Sequence, residues 1–359
     1  MSLPMPSDKS MEILKSGVAI PASPLALDED GRFAPARQKA LFAYYIAAGA
    51  GGIAVGVHTT QFEIREPGID LFRPLLEMAA KEISTLSRKH DRHVLKITGV
   101  CGKTAQAVAE GSLAASLGYD AGLLSLGALK DESEEEILTH CRAVSRVIPL
   151  VGFYLQPAVG GRILPYSFWN RFCMIENVAA IKIAPFNRYQ TLDVIRAVAE
   201  AGREDDIALY TGNDDNIIID LLTPYRIRTV RGEKVIRIRG GLLGQWSIWT
   251  KTAVSLLEEI HRIVESSEPV PPEMLSRNAA YTDANAAVFD AAHQFAGCIP
   301  GINEVLRRQG LLRSARCLAP RLTLSPGQAE EIDRVCRDYP FLCDDEFVRA
   351  HLAEWLGGE

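Results

Sequence analysis

Cysteine is scarce in this chain and follows no pattern: seven residues, at 101, 141, 173, 298, 317, 336 and 343, with no Cys-x-x-Cys among them. An odd, scattered set argues against a disulfide framework and against a zinc ribbon, and it suits a reducing, cytoplasmic compartment. Positive charge is not in excess either. The 39 Lys and Arg face 45 Asp and Glu, for a formal net charge of −6, so neither nucleic acid nor a membrane is expected as a partner. Long apolar runs are missing, and none approaches the ~20 residues that span a bilayer. The opening segment, Met1 to Lys15, mixes Pro, Ser, Asp and Lys and lacks the apolar stretch of a signal peptide. Metal-ligand sets are lacking too. Asp214 and Asp215 adjoin each other without a matched histidine, which favours capping of the following helix over metal binding; no metal and no cofactor is expected.

What the chain does have is alternation. Its 359 residues, 47% hydrophobic and 23% charged, suffice for one large domain with an appendage or for two ordinary ones. Candidate strands are Val18 to Ser23, Gly52 to Val57, His93 to Thr98, Ala121 to Ser125, Pro149 to Tyr154, Val178 to Lys182 and Ile207 to Thr211, with an eighth near Arg239 to Gln245. Helical patterns separate them. The segment Ser133 to Val147 opens with a capping box, Ser133 and Glu136, and places Ile137, Cys141, Val144 and Ile148 at core spacing. Gly49, Gly118 and Gly202 suit left-handed helix ends. Eight strand–helix alternations predict a parallel sheet closed into a (β/α)8 TIM barrel over residues 10–266, with an open doubly wound sheet as the alternative. Beyond Glu265-Ser-Ser-Glu-Pro-Val-Pro-Pro272 the strand runs stop, so 267–359 is expected to be a C-terminal helical region, with helices such as Asp283 to Phe295, Ile302 to Gln309 and Pro326 to Cys336.

Two glycine motifs do not hold up. In Gly49-Ala-Gly51-Gly52 the glycines precede the strand, whereas a pyrophosphate cradle needs them after it. Gly99-Val-Cys-Gly102-Lys103-Thr104 mimics a P-loop, but Ile97 stands where its first glycine belongs; a tight turn with Thr104 as helix cap is the better reading.

The chemistry-bearing residues lie at predicted strand ends, where barrels gather their catalytic groups. His58-Thr59-Thr60-Gln61 follows strand two, Tyr154 ends strand five, and Lys182 ends strand six. A lysine at the end of a buried strand is poorly solvated as an ammonium, and its neutral amine can attack a ketone to form a Schiff base. Such chemistry needs a proton carrier, and a phenol on the adjacent strand can serve. His58 and Gln61 are candidate substrate contacts beside the threonines. Gly240 and Gly241 lack side chains where a ligand or a neighbouring strand comes close, and Gly241 is counted with the substrate-binding residues.

These residues carry a resemblance. Leu14 to Pro24 with Asp28 to Gly31, Ala48 to Ile53 running into Thr59-Thr60, Pro149 to Tyr154, Asn177 to Lys182, and Leu209 to Asp214 resemble the dihydrodipicolinate synthase and N-acetylneuraminate lyase family of class I aldolases, over residues 14 to about 325. The resemblance implies a (β/α)8 barrel with C-terminal helices, assembled as a homo-oligomer, dimer or tetramer. It also implies a Schiff base between Lys182 and pyruvate or a related 2-oxo acid, with Tyr154 as proton shuttle, Thr60 as carboxylate binder and Thr59 as relay hydroxyl. Three departures stand out. His58-Thr-Thr-Gln-Phe62 replaces Gly-Thr-Thr-Gly-Glu, Gly127-Ala128-Leu129 stands where the lysine-biosynthetic branch has a second tyrosine, and Val159 stands where it has an arginine, with Arg162 further on. The expectation is therefore a lyase performing aldol cleavage or condensation on a substrate other than that of the synthase. Alternatives are a dehydratase of a 2-keto-3-deoxy sugar acid, a non-catalytic 2-oxo-acid or sugar-acid binding barrel, and, more remotely, a phosphate-binding barrel.

Tyr225 to Arg239 alternates basic and apolar residues around Gly232, which predicts an inserted hairpin bearing a solvated or subunit-facing arginine row.

Overall fold

The strand runs form one sheet. In the computed structural model, which describes residues 3–266 and 268–357, the strands are β1 (Ala19–Pro21), β2 (Gly52–Val55), β3 (Leu95–Val100), β4 (Ala121–Leu124), β5 (Leu150–Leu155), β6 (Val178–Ala184), β7 (Ala208–Thr211), β8 (Tyr225–Thr229), β9 (Gly232–Ile236) and β10 (Ile238–Leu243). Eight of them run in the order β1-β10-β7-β6-β5-β4-β3-β2, and a parallel bridge between Ala22 and Ala54 joins the two ends of that order. The fold is a (β/α)8 barrel with C-terminal helices. An open doubly wound sheet is excluded, because it would leave β1 and β2 as unpaired edges. Among the described residues no helix is long and apolar enough to cross a membrane.

Packing divides the chain into two units. The first comprises Met1–Val18 with Leu95–Leu242. Its helices begin and end where the local chemistry requires. Ser133 and Glu136 form the expected capping box on helix Glu134–Ser145, and Asn187 Oδ1 accepts from Gln190 N at 3.1 Å to open helix Arg188–Ala201, which Gly202 closes at φ 68°. Thr104 is not a cap. It is the first residue of helix Thr104–Ser116, and its hydroxyl bonds His140 Nδ1 at 2.9 Å. Helix Ile217–Leu222 follows Asn216, which makes no side-chain cap bond. The hairpin pairs β8 with β9 from Tyr225 opposite Ile236 to Thr229 opposite Gly232, and the period of two leaves Arg226 and Arg228 exposed. An unanticipated helix, Asp8–Ser16, is capped by Ser7 and tied down by Ser10 Oγ, which donates to Asp120 at 2.6 Å.

The second unit comprises Ala19–Val94 with Leu243–Glu359. It holds β1, β2, helices Pro35–Ala48, Phe72–Lys89 and Thr250–Glu265, and the C-terminal helices Glu273–Val288, Cys298–Arg308, Gln328–Asp338 and Asp345–Trp355. Ser267, Gly358 and Glu359, which bound the expected helical region, lie outside the described residues. The predicted helix Asp283 to Phe295 stops short, at Val288, because Asp290, Gln294 and Phe295 adopt left-handed φ of 60°, 55° and 68°. Buried Asp344 anchors the last helix: its carboxylate accepts from Tyr44 Oη (2.7 Å), Lys251 N (2.9 Å) and Gln309 Nε2 (2.8 Å).

Candidate active site

Lys182 is the only charged residue of β6, whose seven residues are all buried, and it is 8% exposed. Which neighbours it meets is decided by one extra residue. Leu150 pairs with Val178, but the next residue, Val151, pairs with Ala180, so Ala179 is a bulge in β6. Extended without the bulge, the pairing would set Tyr154 opposite Lys182. With it, Phe153 stands opposite Lys182 and Tyr154 opposite Ile183. Because successive side chains on a strand point to opposite faces, this single slip exchanges the two aromatic rings.

The contacts agree with the register. On the helix-covered face, a Cβ at Gly152 would lie 2.7 Å from Phe172 Cε1, and the Tyr154 ring packs 5.2 Å from that of Trp169. The Tyr154 hydroxyl donates to Leu164 O at 3.1 Å and accepts from Leu164 N at 3.2 Å. Burial pushes the phenol above its usual pKa, and the Leu164 N–H only partly offsets this. Lys182 and Phe153 share the other face, with Nζ 4.5 Å from the Phe153 ring centroid. The hydroxyl of Tyr154 is thus bonded to the Leu164 backbone, and the ring recorded beside the Lys182 amine is that of Phe153.

On its other side Lys182 pairs with Tyr210 of β7. Tyr210 shares the face of Lys182, but its hydroxyl donates to Leu14 O at 2.9 Å and accepts from Val18 N at 3.3 Å, so it serves the N-terminal helix. Gly212 leaves room for the lysine stem: a Cβ there would lie 2.6 Å from Lys182 Cε. Gly241 pairs with Thr211, on the face away from Lys182, and its N–H donates to Val18 O at 3.3 Å. The close backbone approach falls instead at Gly240, where a Cβ would meet Val18 O at 2.5 Å.

The loops after β6 and β7 are latched together. Phe186 N donates to Asn213 Oδ1 at 3.0 Å, while Asn213 Nδ2 and Thr211 Oγ1 donate to the fully buried Asp220 at 2.9 and 2.8 Å. The Arg188 guanidinium neutralises that carboxylate. Arg162 Nη1 donates to the carbonyls of Leu129 and Glu132, tying down the loop after β4. Sequence reasoning missed Phe153, Gly212 and this latch; Gly212 and Asn213 had a signal, lying within the segment Leu209 to Asp214.

In the second unit, His58–Thr60 form a single tight turn after β2, and Gln61 follows at φ 71°. Thr59 Oγ1 donates to Ala22 O at 2.6 Å. Thr60 Oγ1 donates to Ser23 O at 2.7 Å and accepts from Val57 N at 3.2 Å. A hydroxyl has one proton, and both threonines direct theirs to the backbone of the loop after β1. They fix that loop; a carboxylate would have to displace those bonds. Gln38 braces the same loop, accepting from Ala26 N at 2.9 Å and donating to Ser23 Oγ and Pro24 O at 3.1 Å. Gln61 Oε1 accepts from Leu318 N at 2.6 Å, which makes it an anchor for the C-terminal segment. His58 is half-buried, its ring 6.1 Å from that of Phe62.

Many solved structures share this fold, among them dihydrodipicolinate synthases and proteins of that family. The dihydrodipicolinate synthase of Bacteroides thetaiotaomicron matches with a TM-score of 0.69 at 15% identity, over 94% of this chain and 100% of that one. The chloride-inhibited dihydrodipicolinate synthase of Acinetobacter baumannii complexed with pyruvate gives 0.71 at 17%, over 90% and 99%. YagE, a prophage protein of the dihydrodipicolinic acid synthase family from E. coli K12 in complex with pyruvate, gives 0.68 at 17%, over 89% and 97%. At such identities the likeness is one of fold. No protein-family model matches the sequence, and no curated protein matches it.

Proposed function

We propose that this chain is a divergent member of the dihydrodipicolinate synthase and N-acetylneuraminate lyase family, a class I lyase acting on pyruvate or a related 2-oxo acid through a Schiff base on Lys182. The observation that carries the reading is Lys182 itself: one amine in a wholly buried strand, on the face turned away from the helices, with Gly212 leaving space for its stem. The amine adds to the C2 carbonyl of the 2-oxo acid, the carbinolamine loses water, and the protonated imine accepts the electron pair released at C3. Carbon–carbon cleavage, its reverse, or loss of a hydroxyl group all follow from that electron sink. The pyruvate complexes of two proteins with the same fold support the substrate class. Assembly as a homodimer or tetramer belongs to the same reading, and light scattering measures it.

Phe153 motivates a second reading. A phenyl ring beside the amine cannot carry protons, and Tyr154 is held by Leu164. A barrel that binds a 2-oxo acid or sugar acid without turnover is consistent with that arrangement.

Borohydride reduction in the presence of pyruvate and a panel of 2-oxo acids separates the two. The lyase reading expects a stable mass adduct on Lys182, lost in Lys182→Ala, together with product formation. Stabilisation of the fold by the same acids without an adduct favours the binder. No adduct from any acid, or full activity in Lys182→Ala, removes the Schiff-base reading.

A further inference from the structure

The arginine row of the hairpin is not spent on the Lys182 site. Arg226 and Arg228 are exposed on β8, but the last members of the row, Arg237 and Arg239, line a cavity of about 160 Å³ that lies wholly in the first unit. The cavity sits at the amino ends of β7 and β10, with Ile207 and Ala208 in its lining, and so at the end of β7 opposite Gly212. Lys15, from the last turn of helix Asp8–Ser16, lines it too.

Arg237 is half-buried, and its Nη1 donates to Leu222 O at 3.0 Å, which orients the guanidinium. Among the described residues it forms no ion pair. Its charged neighbour is a second cation: burial, and after it the Arg239 charge, hold Arg237 below its usual pKa. Two carboxylates share the cavity lining, Glu204 and Asp205. Glu204 Oε1 already pairs with Lys234 Nζ at 2.5 Å, which leaves three lining cations to one exposed carboxylate. A half-buried guanidinium set against a like charge is unfavourable until an anion joins it. Drug-sized ligands fill ~300–1,000 Å³, so the space suits one compact oxyanion. Guanidinium forks match pairs of oxygens on a tetrahedral anion, and an ammonium can take another.

We propose that this cavity is a binding site for a phosphate group, with Arg237 and Arg239 gripping its oxygens and Lys15 adding a third positive charge. The site is independent of Lys182 chemistry.

The experiment is isothermal titration calorimetry of the full chain with inorganic phosphate, in chloride at fixed ionic strength. The expected result is one saturable site per chain, weakened at least about tenfold in Arg237→Gln and in Arg239→Gln. Arg239 is exposed, so its variant keeps the test intact should loss of the Leu222 bond unfold Arg237→Gln. Arg228→Gln, on an exposed arginine of the same hairpin outside the cavity, should bind as the parent does. Lys182→Ala should also bind as the parent does, which separates this site from an anion held at that amine. Glycerol 3-phosphate, run beside inorganic phosphate, identifies the source: tighter binding of the ester assigns the site to a phosphorylated metabolite, and equal or weaker binding to the free ion. Absence of saturable binding by both probes overturns the proposal, as does affinity unchanged in both cavity variants. A loss as large in Arg228→Gln as in Arg239→Gln, the mark of diffuse surface charge, overturns it too, and so does binding that vanishes in Lys182→Ala.

Discussion

Gly212→Ala tests whether Lys182 stands where it does because residue 212 has no side chain. An ideal Cβ at 212 would lie 2.6 Å from Lys182 Cε, 3.2 Å from Lys182 Cγ and 2.8 Å from Ala184 Cβ. Non-bonded carbons settle at ~3.5–4.0 Å, so the closest contact is too short by about 1 Å. The lysine stem can rotate, but Ala184 Cβ is fixed to its strand. Overpacking of this kind costs about 1–3 kcal/mol. Urea unfolding of four proteins isolates the cause: the parent, Gly212→Ala, Lys182→Ala and the double variant. Truncating Lys182 removes two of the three contacts, so the added methyl should cost less in that background, with a coupling energy on the order of 1 kcal/mol. Imine trapping is the second readout. An amine displaced by on the order of 1 Å should react with pyruvate at least about tenfold more slowly. Equal cost of the methyl in both backgrounds, with unaltered trapping, would refute the steric argument.

Three further outcomes follow from the same geometry. Phe153→Tyr sets a phenol on the face of Lys182, and because a positioned acid–base group contributes about 10²–10⁴-fold, steady-state turnover of a trapped substrate should rise at least about tenfold; no rise would show that proton transfer is not what the site lacks. Tyr154→Phe removes both hydrogen bonds to Leu164 and should cost about 1–2 kcal/mol in denaturant unfolding while leaving trapping intact, whereas lost trapping would restore Tyr154 to the chemistry. Asp283 accepts two 2.9 Å bonds from Arg334 and one of 2.7 Å from Tyr339, and Arg334 foremost holds its carboxyl below the usual carboxylate range, against opposing burial. A depressed folded-state pKa gives stability that is complete above the unfolded value of about 3.9 and disappears as pH falls through the folded value. For this part-exposed pair the amount is about 0.5–1 kcal/mol, so Asp283→Asn should flatten the acid limb of the stability profile below about pH 4; an unchanged limb would contradict the assignment.

The barrel was legible because its signals are redundant. All eight predicted strands start within two residues of the observed ones, since each is an apolar run set off by turn residues, and the Ser133 and Glu136 box and the left-handed Gly49 and Gly202 mark helix ends through bonds local to a few residues. Where the fold departs from expectation, a tertiary partner has outbid a local one. Thr104 looks like a cap until His140 offers its hydroxyl a ring nitrogen. The N-terminal helix hides among Pro, Ser and Asp because its order comes from Asp120 and Tyr210, residues more than a hundred positions away.

The site was legible only as far as the strand ends were. Lys182 could be found because a lysine that interrupts a buried strand is visible in one dimension. Its partner could not, because choosing between Phe153 and Tyr154 requires knowing the parity of β5 against β6, and that parity hangs on Ala179. Alanine carries no signature of a bulge; the extra residue is imposed by pairing, not by its own chemistry. The consequence reaches into mechanism. Two adjacent aromatic residues differ by one oxygen atom, and a one-residue slip decides which of their rings pairs across from Lys182. The threonines obey the same logic: Thr59 and Thr60 sit where the motif requires, yet Ala22 and Ser23 already hold their protons. A motif fixes residue type and spacing along the chain, whereas acid–base chemistry depends on which lone pair or proton is still uncommitted once the backbone has taken its share.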